Sequence, residues 1–364
     1  MSKNKLKEIK EQTEELVKKT NQKIDELGSH SNILYGKLKS IQGQFDAIRN
    51  APSEKRMQYE KLKKVRLDWK QQVDKIEERF NETAVKNFGG GAAGIGAGVA
   101  VAALGPSAAM GIATTFGVAS TGTAISALSG AAATNAALAW LGGGTLALGG
   151  GGMAAGNAFL ALAGPVGWAI AGVAIVGSGL LFWKAKDEKD RLENVFTLIG
   201  KRDVTSYQQA IVEINERIER IKNESELLAN AIRKIQTFGI YYNQMSEAQQ
   251  YELGAYFNLM ESSTNLLVNP IQGLQPKYTE EDFKKFISNM TWADSEYYRK
   301  NKNILIVLAN QFYKVPLDET DKSLLVKNFK NNKDFLSAMS MEKSDFDIEL
   351  MQAVEKCLSY KARS

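Results

Sequence analysis

Cysteine and histidine are nearly missing from this 364-residue chain, which has one of each, Cys357 and His30. A lone cysteine cannot close an internal disulfide, so the fold does not depend on an oxidising compartment. The same scarcity excludes zinc sites built from Cys and His. A histidine-based triad would need His30, which lies in the Gly-Ser-His-Ser-Asn patch 28–32 and reads as a solvated helix residue. Cys357 reads as a small apolar residue on a terminal helix. No apolar run follows the lysines of MSKNKLKEIKEQTEEL. A cleaved secretory signal is therefore not expected. Synthesis in the cytoplasm is expected, with any exit by lysis or a dedicated route. Basic stripes with interleaved aromatics are also missing, and the net charge of +5 is mild. Nucleic acid is not an expected partner.

One more absence dominates. From Asn87 through Trp183 there is no Asp, Glu, Lys or Arg: 183 − 87 + 1 gives 97 residues, holding 24 of the 31 glycines. A chain with about a quarter of its residues charged would almost never produce such a run by chance. The run is too long for one helix and must fold back on itself. Gly105-Pro106, Gly142-Gly143-Gly144, Gly149 through Gly152 and Gly164-Pro165 are the expected breaks. They leave candidate helices near 91–104, 107–141 (with a split near Ser120), 153–163 and 166–183.

The last piece is the most hydrophobic. With the residues before Gly164 it reaches the roughly 20 residues that span a bilayer. Its candidate membrane-inserting side chains are Phe159, Leu160, Leu162, Trp168, Ile170, Val173, Ile175, Val176, Leu180, Leu181, Phe182 and Trp183. Phe182-Trp183-Lys184 joins aromatic and basic groups, as suits a membrane–water interface. The other pieces are mostly Ala and Gly. Gly90, Gly94 and Gly98 stand four apart, as do Gly122, Ser126 and Gly130. Such stripes let helix backbones approach closely, the main attractive device between helices in lipid.

Two other readings compete for the run. Gly89-x-Gly91-x-x-Gly94 matches a dinucleotide fingerprint, but a charged helix precedes it and the next acid is Asp187. That fingerprint needs a preceding strand and an acid about 20 residues on, so no nucleotide cofactor is expected. The remaining alternative to lipid is an Ala/Gly-rich core wrapped by charged helices. Between these lies a conditional answer, with the run sheltered in a soluble form and inserted on membrane contact.

On either side the pattern is helical. Leu6, Ile9, Leu16, Ile24, Leu27, Leu34, Leu38, Ile41, Phe45 and Ile48 form a narrow stripe at gaps of 3, 4 and their sums. Ala51-Pro52 breaks it, and Ser53 is expected to cap a second helix. Val65, Trp69, Val73, Ile76, Phe80 and Ala84 carry the spacing on. Beyond the run, Tyr207, Ile211, Ile214, Ile218, Ile221, Leu228, Ile232 and Ile235 repeat it, with Ser225 in the one polar seam position. That helix is expected from about Lys186 to Phe238, with an interruption near Gly200. Helices this long must pack on each other, most simply as an elongated antiparallel bundle. Ser246-x-x-Gln249 and Thr279-x-x-Asp282 read as helix starts, Asn269-Pro270 and Val315-Pro316 as stops.

The expected fold is thus all-α: residues 1–86 as N-terminal coiled helices, 87–183 as an uncharged head, 184–238 as a return helix and 239–364 as a C-terminal helical domain. Glu77-Glu78 and Glu280-Glu281-Asp282 read as solvated faces, and no enzyme chemistry, metal, cofactor or small-molecule substrate is expected.

Long charged helices flanking one hydrophobic head, without a cleaved signal, resemble the α-helical pore-forming toxins related to cytolysin A, including the xenorhabdolysin and enterotoxin-component branches. The resemblance is of layout over residues 1–238. It implies a head that enters a target membrane and protomers that ring up into a pore, with lipid and a homo-oligomer, or a second protein component, as partners. LALAGPVGWAIAGVA also looks like the hydrophobic stretches of phage tail tape-measure proteins, which implies a scaffold role. A third alternative is a bacterial defence or signalling protein tethered to the inner membrane.

Overall fold

The computed structural model describes residues 2–88, 106–117, 185–331, 336 and 342–363. Those residues are all-α: ten α-helices, two short 3-10 turns and no strand among the described residues. The helices are α1 (Ser2–Ala47), α2 (Ser53–Phe88), α3 (Pro106–Phe116), α4 (Lys186–Ile235), α5 (Glu247–Val268), α6 (Glu280–Ser288), α7 (Trp292–Lys300), α8 (Lys302–Phe312), α9 (Glu319–Lys330) and α10 (Ile348–Arg363).

The 3/4 stripes become the bundle's core. Ile24, Leu27, Leu34, Leu38 and Ile41 of α1 are fully buried, as are Trp69 and Val73 of α2 and Ile214, Ile221 and Leu228 of α4. Ser225 occupies its seam position by donating to the Ile221 carbonyl at 2.7 Å, so no polar group is stranded there. α4 runs through Gly200 without a break. The glycine is there because Ile9 of α1 presses on it, and a methyl would collide with that side chain. The helix ends at Ile235, three residues before Phe238.

Successive long helices alternate in direction. Ile9 lies against Gly200 and Arg49 pairs with Ile240, so α1 and α4 run parallel along their length. The chain returns down α2, where Tyr59 meets Gln42 and Trp69 meets Tyr35, and α4 starts at the same end as α1. α5 folds back on α4, with Arg217 donating to the Leu266 and Asn269 carbonyls at 2.7 and 2.8 Å.

At one tip, the turn after α1 and the turn after α4 are tied together. The Arg49 N–H donates to the Ile240 carbonyl at 2.6 Å, and the Tyr242 N–H donates to the Arg49 carbonyl at 2.9 Å. Asn50 and Gly239 take left-handed backbone angles to make these turns. α2 begins at Ser53 itself, and the Pro52 carbonyl accepts its first helical N–H, from Arg56. Both predicted helix starts carry reciprocal capping boxes, Ser246 with Gln249 and Thr279 with Asp282. The predicted stops hold as well, α5 ending at Val268 and α8 at Phe312.

A second core forms at the other end. Leu192, Phe196 and Ile199 from the first turns of α4 join Phe283 of α6, Leu308 and Phe312 of α8, Leu325 of α9, Cys357 of α10 and Phe346 just before α10. Burial pushes the Cys357 thiol up to about 12, so it remains a neutral, inert core group.

Candidate functional site

The residues singled out for membrane insertion, Phe159 to Trp183, lie outside the described residues. So do Gly90, Gly94 and Gly98, and Gly122, Ser126 and Gly130. One piece of the uncharged run is described, and it is informative. It is α3 with the Gly117 that follows it.

Local chemistry sets the ends of α3. Pro106 takes the first helical position, where a missing N–H costs nothing and φ is already helical. Gly117 closes the helix with a left-handed φ of 72°, its N–H donating to the Ala113 carbonyl at 2.9 Å. The helix expected to run from 107 toward a split at Ser120 thus stops at Phe116, because Gly117 supplies the left-handed cap earlier.

Every residue from Ala109 through Gly117 is buried. Over that stretch α3 has no polar outer face, which is the mark of a helix in a core. Its walls are α1, α2 and α5. The crossing with α1 is close enough to exclude side chains on both helices. A methyl at Gly28 would overlap the Ser107 carbonyl oxygen and lie 2.7 Å from the Ser107 carbonyl carbon and 2.8 Å from the Gly111 nitrogen. A methyl at Gly111 would overlap the Ile24 carbonyl oxygen.

Beside this crossing the Thr114 hydroxyl donates to the Ser31 hydroxyl at 3.2 Å, both groups fully buried. At the far end the Ile271 N–H donates to the Thr115 carbonyl at 2.8 Å. Gly117 sits against the Val268 carbonyl and Pro270, where a side chain would not fit. Met110, Ile112 and Phe116 are nearly or fully buried. At roughly 1.5–3 kcal/mol for each such side chain, their docking alone contributes roughly 5–9 kcal/mol. For this stretch, the choice between core and bilayer falls to core.

In the Gly-Ser-His-Ser-Asn patch the sequence singles out only His30, as a solvated helix residue. Gly28 and Ser31 are instead the notch that admits α3, and His30 beside them is half-buried. The readable signal was a pair of small residues three apart, interrupting an otherwise apolar seam between Leu27 and Leu34.

Elsewhere the ionisable groups build joints. Arg202 pairs with Asp203 at 2.7 Å and donates to the carbonyls of Asn310, Gln311 and Tyr313, tying α4 to the end of α8. Burial raises the Asp203 carboxyl above its ordinary range, against the pull of the Arg202 guanidinium and the Lys277 ammonium. A cavity of about 10 Å³ beside them, lined by Asp203, Tyr207, Lys277 and Asn310, has room for about one water molecule. Arg66 is buried between Gln42 and Thr264, joining α2 to α1 and α5. Asp282, one of the clustered acids, caps α6 and pairs with Lys361 at 2.6 Å. Among the described residues no group of His, Cys, Asp or Glu could hold a metal ion. No helix among them is long and apolar enough to cross a membrane.

Compared with protein-family models, with curated proteins and with solved structures, the chain matches none.

Proposed function

We propose that this protein inserts part of its uncharged run into a lipid bilayer and permeabilises it as a multimer. The observation that carries the reading is the run itself: 97 consecutive residues without an ionic side chain between helices rich in charge. Bringing ionic groups to the bilayer centre costs a few kcal/mol each, so their complete exclusion over this length has a direct physical use. Small-residue stripes within the run favour assembly of several helices over one anchored span. The layout shared with α-helical pore-forming toxins supports the same mechanism. The burial of α3 supports a form in which at least one piece of the run is kept from water by the bundle.

Burial of the apolar side chains between Phe159 and Trp183 supplies the driving force, at about 0.8 kcal/mol per CH₂. Trp183 and Lys184 hold one end at the interface. The test is dye leakage from vesicles with and without anionic lipid. Ala174→Arg places a cation in the middle of the last piece, costs roughly 2.5–3.5 kcal/mol of insertion and should abolish leakage. A variant that leaks like the wild type refutes the assignment of the span. A scaffold would instead cause no leakage at all.

A further inference from the structure

We infer that α3 is a fixed anchor: it stays docked among α1, α2 and α5 when the protein meets a bilayer, and only the part of the run beyond Gly117 enters lipid. This rests on the membrane reading above and narrows it.

The docking is that of a permanent core element. Backbone meets backbone at Gly28 and Gly111, Thr114 is hydrogen-bonded to Ser31, and the Thr115 carbonyl is engaged by Ile271. If α3 left, lipid could receive its own apolar side chains. It could not receive the wall exposed on α1, because that helix carries charge on its other faces, such as Lys23 and Glu26 beside Ile24. The wall would then face water, exposing the apolar surface that α3 now covers.

Chain length removes any need for that rupture. With α3 docked, 17 residues lie between Phe88 and Pro106 (105 − 89 + 1), and 67 lie between Gly117 and Ala185 (184 − 118 + 1). A stretch held at both ends on the bundle must cross and return, which takes about 40 residues in two helices of roughly 20. The shorter stretch is at most one crossing and cannot return, whereas the longer one exceeds two. All the candidate inserting residues from Phe159 to Trp183 lie in the longer stretch, and Gly90, Gly94 and Gly98 lie in the shorter. The anchor therefore assigns that first glycine stripe to the protein side of the interface.

The Ser31 and Thr114 oxygens are 3.2 Å apart, so Ser31→Cys/Thr114→Cys puts two thiols side by side across the crossing, and their oxidation is followed by thiol titration. The native Cys357 is buried in the other core and will not compete. The oxidised variant should release vesicle dye at the wild-type rate, and adding reductant should change nothing. Leakage that is lost on oxidation and recovered on reduction overturns the anchor. Hydrogen exchange on the unmodified protein gives a second reading: amides of residues 110–117 should exchange as slowly on leaking vesicles as in solution. Loss of that protection on vesicles also overturns it. If the wild type itself does not leak, the membrane reading fails and takes this inference with it. A leaking wild type beside a silent oxidised variant defeats the anchor alone.

Discussion

Two glycines on the same helix should respond to the same substitution with opposite signs. Gly28 and Gly36 both lie inside α1. Nothing lies within 4 Å of a methyl built on Gly36, so Gly36→Ala only restricts the unfolded chain and improves helix propensity. That is worth about 0.5–1 kcal/mol of added stability. Gly28→Ala has the same propensity gain but meets backbone. The methyl would stand 2.7 Å from the Ser107 carbonyl carbon, and nearer still to its oxygen. Relaxing to the ordinary contact of about 3.5 Å moves α3 away by about 0.8 Å at least. Backbone atoms cannot rotate aside as a side chain can, which puts the overpacking cost at about 3 kcal/mol, the upper end of its usual range. The net effect is a loss of about 2 kcal/mol, which grows toward roughly 5 kcal/mol if the methyl expels α3 and its buried side chains. Urea unfolding followed by far-ultraviolet circular dichroism would place the two variants on opposite sides of the wild type, about 3 kcal/mol apart. If Gly28→Ala proved as stable as Gly36→Ala, the close crossing of α1 and α3 would be wrong, and the anchor with it.

The hydroxyl pair at this crossing gives a second test. Ser31→Ala leaves the buried Thr114 hydroxyl without its acceptor and should cost about 1–3 kcal/mol, while Ser31→Ala/Thr114→Val should recover part of that loss. A double-mutant cycle showing simple additivity refutes the contact. A third test uses pH. Burial raises the Asp203 carboxyl above its ordinary value of 3.8, so the folded protein binds this proton more tightly than the unfolded chain. The group's contribution to stability is therefore greatest at low pH and falls as pH rises from 3.8 through the folded value. Asp203→Asn should flatten that fall in denaturation measured across the acid range, and an unchanged slope would show that the carboxylate is not penalised by its surroundings.

Much of the bundle was legible because its seams repeat at helical spacing, and the gaps in those seams turn out to be filled. Counting apolar residues alone, α1 skips positions between Ile9 and Leu16, Leu16 and Ile24, and Leu27 and Leu34. Thr13, Thr20 and Ser31 occupy them, all buried. The two threonine hydroxyls donate to the Ile9 and Leu16 carbonyls at 2.7 Å, so each presents its methyl to the core and hides its polar atom. Arg66 and Asp203 also stand at seam spacing, three before Trp69 and four before Tyr207, but the spacing does not show what pairs with them. Their partners Gln42, Thr264 and Arg202 come from other helices or depend on the packing around them.

The choice between core and bilayer was the hardest part to read, for a physical reason. Both environments have low dielectric, both demand that backbone groups be paired internally, and both refuse unpaired charge. A guest helix looks the same on entering either one. What differs is the host, because a helix admitted to a packed bundle needs a notch, and a notch is written in the wall. Gly28 and Ser31 are that notch for α3. Gly36, Gly43 and Gly254 look onto open space, while Gly200 and Gly273 are taken up by Ile9 and by α4. Among the described helices, then, the glycines of the bundle provide close seating for one helix from the uncharged run, and α3 occupies it.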